Sequence, residues 1–300
     1  MTKWRNDYAI LDPMPGYQRL AICRDGVLTD LFISDASDPS PLPGAIYLAR
    51  VADSFASHGR VRLNLGQAGE ASMRTAKTEN WPSGKLILVT IQAEARDNKP
   101  PQARAGLIRE NPYAIIQCLC HEPEGLFFSR RLKQALGDEM SEDLKRIAAA
   151  LESISASLKA RITLRQSAHA VPPDQVLSSI KADLDEIDQI LTTAKGKNSS
   201  AELSPSADLP QLCALTLPHL MPEQVMKIDR DGIDWAEAEI DQQIDAALAP
   251  TLPLEDGGMI HISTPPGAAV IDGDSGSSGL PPHQLADAMI RPLTNQLRLR

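Results

Sequence analysis

The sequence predicts an α+β protein in which a small β-barrel and a mixed α+β unit precede a C-terminal hairpin and helix. Three observations carry that prediction. Short apolar runs separated by glycines and prolines occupy residues 46–95, the spacing of a small β domain. Beyond Ser129 the apolar period changes from two to about 3.6, which marks amphipathic helices. Near the C-terminus an apolar strand runs straight into Asp272, Gly273 and Asp274.

Composition sets the bounds. The chain has 300 residues, 42% hydrophobic and 23% charged, enough apolar material for a real core shared among roughly two or three units. No apolar run approaches the roughly 20 residues needed to cross a bilayer. The polar residues 1–7 lead into no apolar secretory region, so a soluble, cytoplasmic protein is expected. A net charge of −9 excludes indiscriminate coating of nucleic acid, because phosphate contacts need clustered Lys and Arg. Cys23, Cys118, Cys120 and Cys213 form neither a CxxC pair nor a disulfide framework, and reduced core thiols are expected.

Residues 19–34 read as two strands around the turn pair Asp25 and Gly26, a hairpin signal. Three prolines and a closing glycine within residues 35–44 mark a boundary between units. Strands follow at 46–51, 61–65 and 85–92, separated by Gly59, Gly66, Gly69 and the Pro82, Ser83, Gly84 turn, and these predict the barrel. Strands at 113–120 and 126–129 lead to a helix carrying Leu144, Ile147, Leu151 and Ile154 on one face. Residues 160–165 alternate like a strand, and a second helix presents Val176, Ile180, Leu184, Ile187 and Leu191, with Asp174 as its expected cap. Residues 196–210, rich in Ser and Ala, read as a flexible connector. The last third is expected to hold a helix through Trp235, Ile240, Ile244 and Leu248. A hairpin of strands 259–263 and 268–272 follows, joined by Pro265, Pro266 and Gly267, and then a final helix with Leu285, Met289, Leu293 and Leu297.

The strand exit is the most informative segment for chemistry. Asp272 and Asp274 project to one side if the strand continues, and Gly273 between them admits another backbone. Magnesium takes one or two protein carboxylates and completes its shell with water and phosphate oxygens, so the pair suits a cation that activates a phosphodiester. Solvated turns have the same composition, and spacing alone leaves both readings open. A calcium loop is excluded, because the twelfth position counted from Asp272 is His283 rather than an acid. The histidines, His58, His121, His169, His219, His261 and His283, have no metal-ligand spacing. No phosphate-cradling glycine loop or nucleophilic serine elbow occurs.

The stretch from Gly257 and Gly258 through residues 259–263 to Val270, Ile271, Asp272, Gly273, Asp274, Ser275 and Gly276 resembles the catalytic hairpin of the ribonuclease E/G family. In that family a similar sequence, with Asn at the position of Asp274, delivers a magnesium-binding aspartate. The resemblance implies Asp272 as the metal ligand, Asp274 as the residue that orients water, and magnesium as the cofactor. Gln296, Leu297, Arg298, Leu299 and Arg300 resemble the segment that leads, in the family, to the second metal aspartate and then to a zinc-sharing cysteine pair. The sequence ends before that strand, so either a fragment or a degenerate relative is expected.

Weaker parallels cover much of the remaining chain. Gly44, Ile46, Tyr47, Val51 and Gly66 resemble the start of the family's S1-type barrel, with Arg62 where a Phe is usual. The chain is only 4% aromatic, so Arg60 and Arg62 are read either as phosphate contacts or as a solvated edge. Ser129, Arg130 and Arg131 match a recurrent segment, and Asn98 with Lys99 resembles a basic loop. Arg165 stands where the family has an Arg-Thr pair that senses an RNA 5′-monophosphate, and here Gln166 replaces the Thr. An arginine fork binds phosphate oxygens bidentately, and a salt-bridge partner is the other reading of Arg165.

The family layout implies an RNase H-like subdomain formed by residues 1–43 and 201–247. Inserted in it are an S1/OB-type barrel at 44–95 and a 5′-sensor-like α+β unit at 96–196, and a partial DNase I-like catalytic segment occupies 248–300. The implied function is endonucleolytic hydrolysis of single-stranded RNA in processing or decay, with a homo-oligomer as an associated expectation. The implied RNA contacts are Arg165, Gln166, Arg130, Arg131, Lys99 and Arg62. The competing reading is a non-catalytic RNA-binding or scaffold relative of the same family.

Overall fold

The computed structural model describes residues 7–35, 37–38, 40–76, 80–96, 99–120, 122–136, 140–218, 226–265 and 268–299. Asn98, His121, His219, Pro266, Gly267 and Arg300, named above, lie outside the described residues. The fold is mixed α+β and divides into two compact units, one formed by residues 1–37 with 223–300 and the other by 38–222. Among the described residues no helix is long and apolar enough to cross a membrane.

The chain begins the first unit with β1 (Tyr8–Asp12), β2 (Tyr17–Arg24) and β3 (Val27–Asp35), an antiparallel meander. Asp25 and Gly26 take φ of 50° and 82°, the paired left-handed geometry of a two-residue hairpin turn that matches strand twist.

The second unit opens with five strands that close into a barrel: β4 (Ile46–Phe55), β5 (Arg60–Asn64), β6 (Glu70–Arg74), β7 (Leu86–Ala93) and β8 (Gln102–Ala105). Their order is β4-β5-β6-β8-β7, and β7 pairs again with β4. Inward residues alternate with outward ones, so Val61, Leu63, Ala71, Met73, Val89 and Ile91 fill the interior. The sequence reading ends the barrel near residue 95 and omits β6 and β8. Both strands are short and carry charged or polar outward residues, which leaves only two inward apolar positions in β6 and little pattern to detect.

The chain then forms a four-stranded sheet from β9 (Leu107–Glu110), β10 (Ala114–Cys118), β11 (Gly125–Phe128) and β12 (Ala160–Leu164), in the order β11-β12-β10-β9. The helices of this region are α1 (Arg130–Leu136), α2 (Glu142–Leu158) and α3 (Pro173–Lys195). Leu144, Ile147, Leu151, Ile180 and Ile187 of α2 and α3 share one core with Ile116, Ile162 and Leu164 of the sheet. Ser141 caps α2 through the Leu144 N–H, whereas Pro172 rather than the expected Asp174 occupies the cap of α3. Pro173 can start a helix there because its missing N–H would have no intrahelical partner, and Asp174 instead pairs with Arg146 at 2.9 Å.

The expected flexible connector contains a strand, β13 (Ala201–Ser204), paired antiparallel with β4. Tyr47 OH donates to Glu202 at 2.9 Å, a tether that composition alone hides. The sequence reading groups 201–247 with the first unit, while contacts assign 201–222 to the second. Asp208 and Gln211 form a reciprocal capping box on α4 (Leu209–Thr216).

On return to the first unit, β14 (Met226–Ile228) adds parallel to β1, giving the order β14-β1-β2-β3. The expected single helix is two, α5 (Ile233–Glu237) and α6 (Ile240–Leu248), because Glu239 takes a left-handed φ of 53°. Trp235, Ala238 and Ile240 pack on Tyr8, Ile10 and Cys23. A three-stranded sheet of β15 (Thr251–Pro253), β16 (Met259–Ser263) and β17 (Val270–Asp274) then packs beneath α7 (Pro282–Leu299). Leu254, Ile260, Ile262 and Leu285 form its core, with Met289 and Leu293 against it.

Candidate nucleic-acid interface and acidic hairpin

The first candidate region lies on the barrel surface. Antiparallel register sets Phe55 opposite Arg60 and Arg60 opposite Arg74. Directly opposed residues share a face, so one aromatic and two guanidinium groups form a row across β4, β5 and β6. All three residues are exposed, Phe55 at 48%. Neither Arg60 nor Arg74 has a hydrogen-bond or ion-pair partner among the described residues. The row borders a cleft of about 230 Å³ lined by Arg60, Arg74, Arg104, Ser72, Gln92, Gln102 and Ala103.

Sequence reasoning names Arg60 but misses Phe55 and Arg74, because β6 is absent from that reading and the row exists only through register. The alternation of Ala71 and Met73 was the available signal. Arg62 also lies outward on β5, where it pairs with Asp53 and approaches Glu70 at 4.0 Å. Lys99 is exposed on the turn between β7 and β8 and bridges to Arg96.

A second basic group lies at one end of the four-stranded sheet. Parallel pairing of β11 with β12 sets Phe128 beside Leu164, and the Ser129 N–H donates to the Leu164 carbonyl at 2.8 Å. Arg130 and Arg165 therefore leave the same end of adjacent strands. Arg130 and Arg131 open α1 and are exposed. Arg165 donates to Glu110 of β9, while Gln166 is exposed at the start of a short 3-10 turn. The structure thus supplies the salt-bridge partner that the sequence left as one of two readings for Arg165.

The acids belong to the first unit. Register sets His261 opposite Asp272 and Met259 opposite Asp274, so Asp272, Asp274 and His261 share the outer face of the hairpin. Its inner face is fixed by Gly273, where an added Cβ would lie 2.7 Å from Met289 Sδ. Gly273 thus lies close under the flexible tip of Met289 on α7, and strand alternation turns both acids to the opposite face. Asp272 has no hydrogen-bond or ion-pair partner among the described residues. Asp274 Oδ1 accepts the Gly276 N–H at 2.9 Å, which leaves its other oxygen outward. Nothing in the sequence signals a role for His261, because the six histidines show no metal-ligand spacing and its place beside Asp272 depends on the strand register.

The two carboxylates meet magnesium's usual demand for one or two protein ligands. No group of three or more His, Cys, Asp or Glu with metal-binding geometry occurs among the described residues. The sequence matches no family model, and no curated protein matches it.

Proposed function

We propose that this protein binds single-stranded RNA along the outer face of its barrel and hydrolyses it at the hairpin acids, as a magnesium-dependent endoribonuclease. The row of Phe55, Arg60 and Arg74 carries this reading. Single strands are held by aromatic faces that stack bases and by cations that follow the phosphates, and the row presents both, one strand apart. Each arginine offers a planar fork suited to phosphate oxygens.

Architecture supports the reading. The closed order β4-β5-β6-β8-β7 is the order expected of an oligonucleotide-binding barrel, whose second and third strands form the ligand face. Here those strands are β5 and β6. A meander with β14 parallel to β1 fits the RNase H-like expectation. The sheet under α7 is consistent with a partial DNase I-like segment, and the α+β region holding Arg130, Arg131, Arg165 and Gln166 with a sensor-like unit. These features agree with the sequence resemblance to the ribonuclease E/G family, and RNA processing or decay in the cytoplasm is the corresponding setting.

Asp272 would hold the magnesium ion. Bound there, the metal supplies polarisation of the phosphodiester and a more acidic water. Asp274 keeps one oxygen to accept a hydrogen bond from water, while its other is committed to Gly276. His261 faces the same side as Asp272 and can exchange a proton with a group held there. A second reading, an RNA-binding relative without cleavage, draws support from Asp274, whose bond to Gly276 is also that of an ordinary turn.

Incubation of a labelled single-stranded oligoribonucleotide with magnesium separates the two readings. Cleavage that falls at least about a hundredfold in Asp272→Ala supports the nuclease. Binding without cleavage selects the second reading, and absence of binding at low salt sinks both.

A further inference from the structure

The cationic row does not stop at Arg74. β6 and β8 pair in parallel with Ser72 beside Gln102 and Met73 beside Ala103, so the same register sets Arg74 beside Arg104. Three arginines thus follow one another across β5, β6 and β8, and all three line the 230 Å³ cleft. Strands stand about 4.8 Å apart, so the charges form a line rather than a point.

Arg104 differs from the other two because a carboxylate already holds it. Its Nη2 donates to Glu122, and both side chains remain partly exposed, at 36% and 38%. Glu122 has another cation in reach, since Arg161 Nη1 lies 3.9 Å from its second oxygen. Arg161 is itself fixed by stacking on Phe127, 3.7 Å from the ring centroid. When Glu122 leaves Arg104, its charge therefore still has a cation beside it, which keeps the cost of the exchange low.

We infer that Glu122 is a built-in competitor for the RNA backbone, occupying at Arg104 the position a phosphate takes when a strand lies along Phe55, Arg60 and Arg74. The inference rests on the RNA reading proposed above and adds a determinant of affinity and contact length. RNA gains the third cation only by displacing this carboxylate. A short ligand held by Arg60 and Arg74 leaves the ion pair intact, whereas a longer strand reaches Arg104.

The test is fluorescence anisotropy of a labelled oligouridylate of about twelve nucleotides, in EDTA to suppress cleavage, over a salt series. The wild-type protein is compared with Glu122→Gln, Glu122→Ala, Arg104→Ala and the Glu122→Gln/Arg104→Ala double variant. Both Glu122 variants are expected to bind about three- to tenfold tighter at low salt, as one more arginine becomes available. Their salt dependence is expected to steepen by about 0.7 in the log–log slope, one added phosphate contact on a single strand. The gain is expected to vanish in the Arg104→Ala background. A gain that survives there would reflect only the lost negative charge and would overturn the inference, as would unchanged or weaker binding by the Glu122 variants. Wild-type binding without any Glu122 effect sinks this inference alone. No binding by any form sinks the RNA reading with it.

Discussion

Arg60 and Arg74 stand directly opposite each other across the β5–β6 ladder, with no carboxylate bonded to either among the described residues. Like charges so placed destabilise a sheet, in a chain whose 39 acidic residues outnumber 30 basic ones. The arrangement is unfavourable for folding and favourable for holding a polyanion.

The first prediction turns on that conflict. Arg74→Glu creates an opposite-charge pair with Arg60 and is expected to raise unfolding free energy by about 0.2–1 kcal/mol while weakening RNA binding. Urea denaturation and anisotropy on the same preparation check both signs. A variant that loses stability and keeps affinity contradicts the assignment of the row.

Phe55 is expected to contribute stacking rather than folding energy. Phe55→Ala, at a residue 48% exposed, should leave the urea midpoint nearly unchanged while costing about 1–3 kcal/mol of RNA affinity. Phe55→Tyr should retain the affinity. Loss in both variants would argue against stacking.

Gly273 is expected to tolerate a methyl group, because the Met289 tip that it would meet is flexible. Gly273→Ala displaces only the Met289 terminus and should destabilise the hairpin by no more than about 1 kcal/mol in urea denaturation. A loss of more than about 3 kcal/mol would show that Met289 cannot move aside.

Asp229 follows β14 and is buried. Burial pushes its carboxyl upward, but the Trp235 N–H, which donates to Oδ2 at 2.7 Å, and the nearby backbone N–H groups of Asp234 and Gly232 outweigh this and hold it below its ordinary value. A lowered folded value means stabilisation that is complete above the unfolded carboxylate pKa of about 3.9 and lost as pH falls through the folded value. Asp229→Asn is therefore expected to be less stable than wild type by about 0.5–2 kcal/mol at neutral pH, with the gap closing below about pH 4. A gap independent of pH would contradict the charged carboxylate as its source. Asp183 works in the opposite direction, because burial raises its value more than the Asn111 amide lowers it. Its contribution falls as pH rises through that raised value.

The sequence made some of this architecture legible and concealed the rest for identifiable reasons. The Asp25 and Gly26 turn and the helices with Ile147 and Ile180 were readable because local chemistry and periodicity agreed with burial. β6 and β8 were not, since Arg74 and Arg104 interrupt the apolar pattern with residues that serve the surface. β13 was hidden by composition, its order coming from the backbone ladder with β4 and the Tyr47 contact to Glu202. At the hairpin, the strand pattern revealed the shared side of Asp272 and Asp274. The neighbour His261 required a ladder register that no single strand encodes, and the row of Phe55, Arg60 and Arg74 required two such registers.

The most direct test of the central claim is the salt dependence of oligouridylate binding by the wild-type protein and by Arg60→Ala/Arg74→Ala. Two lost phosphate contacts predict a log–log slope shallower by about 1.4, with affinity reduced at every salt concentration. An unchanged slope would mean that the backbone lies elsewhere, and the barrel face would lose its assigned role.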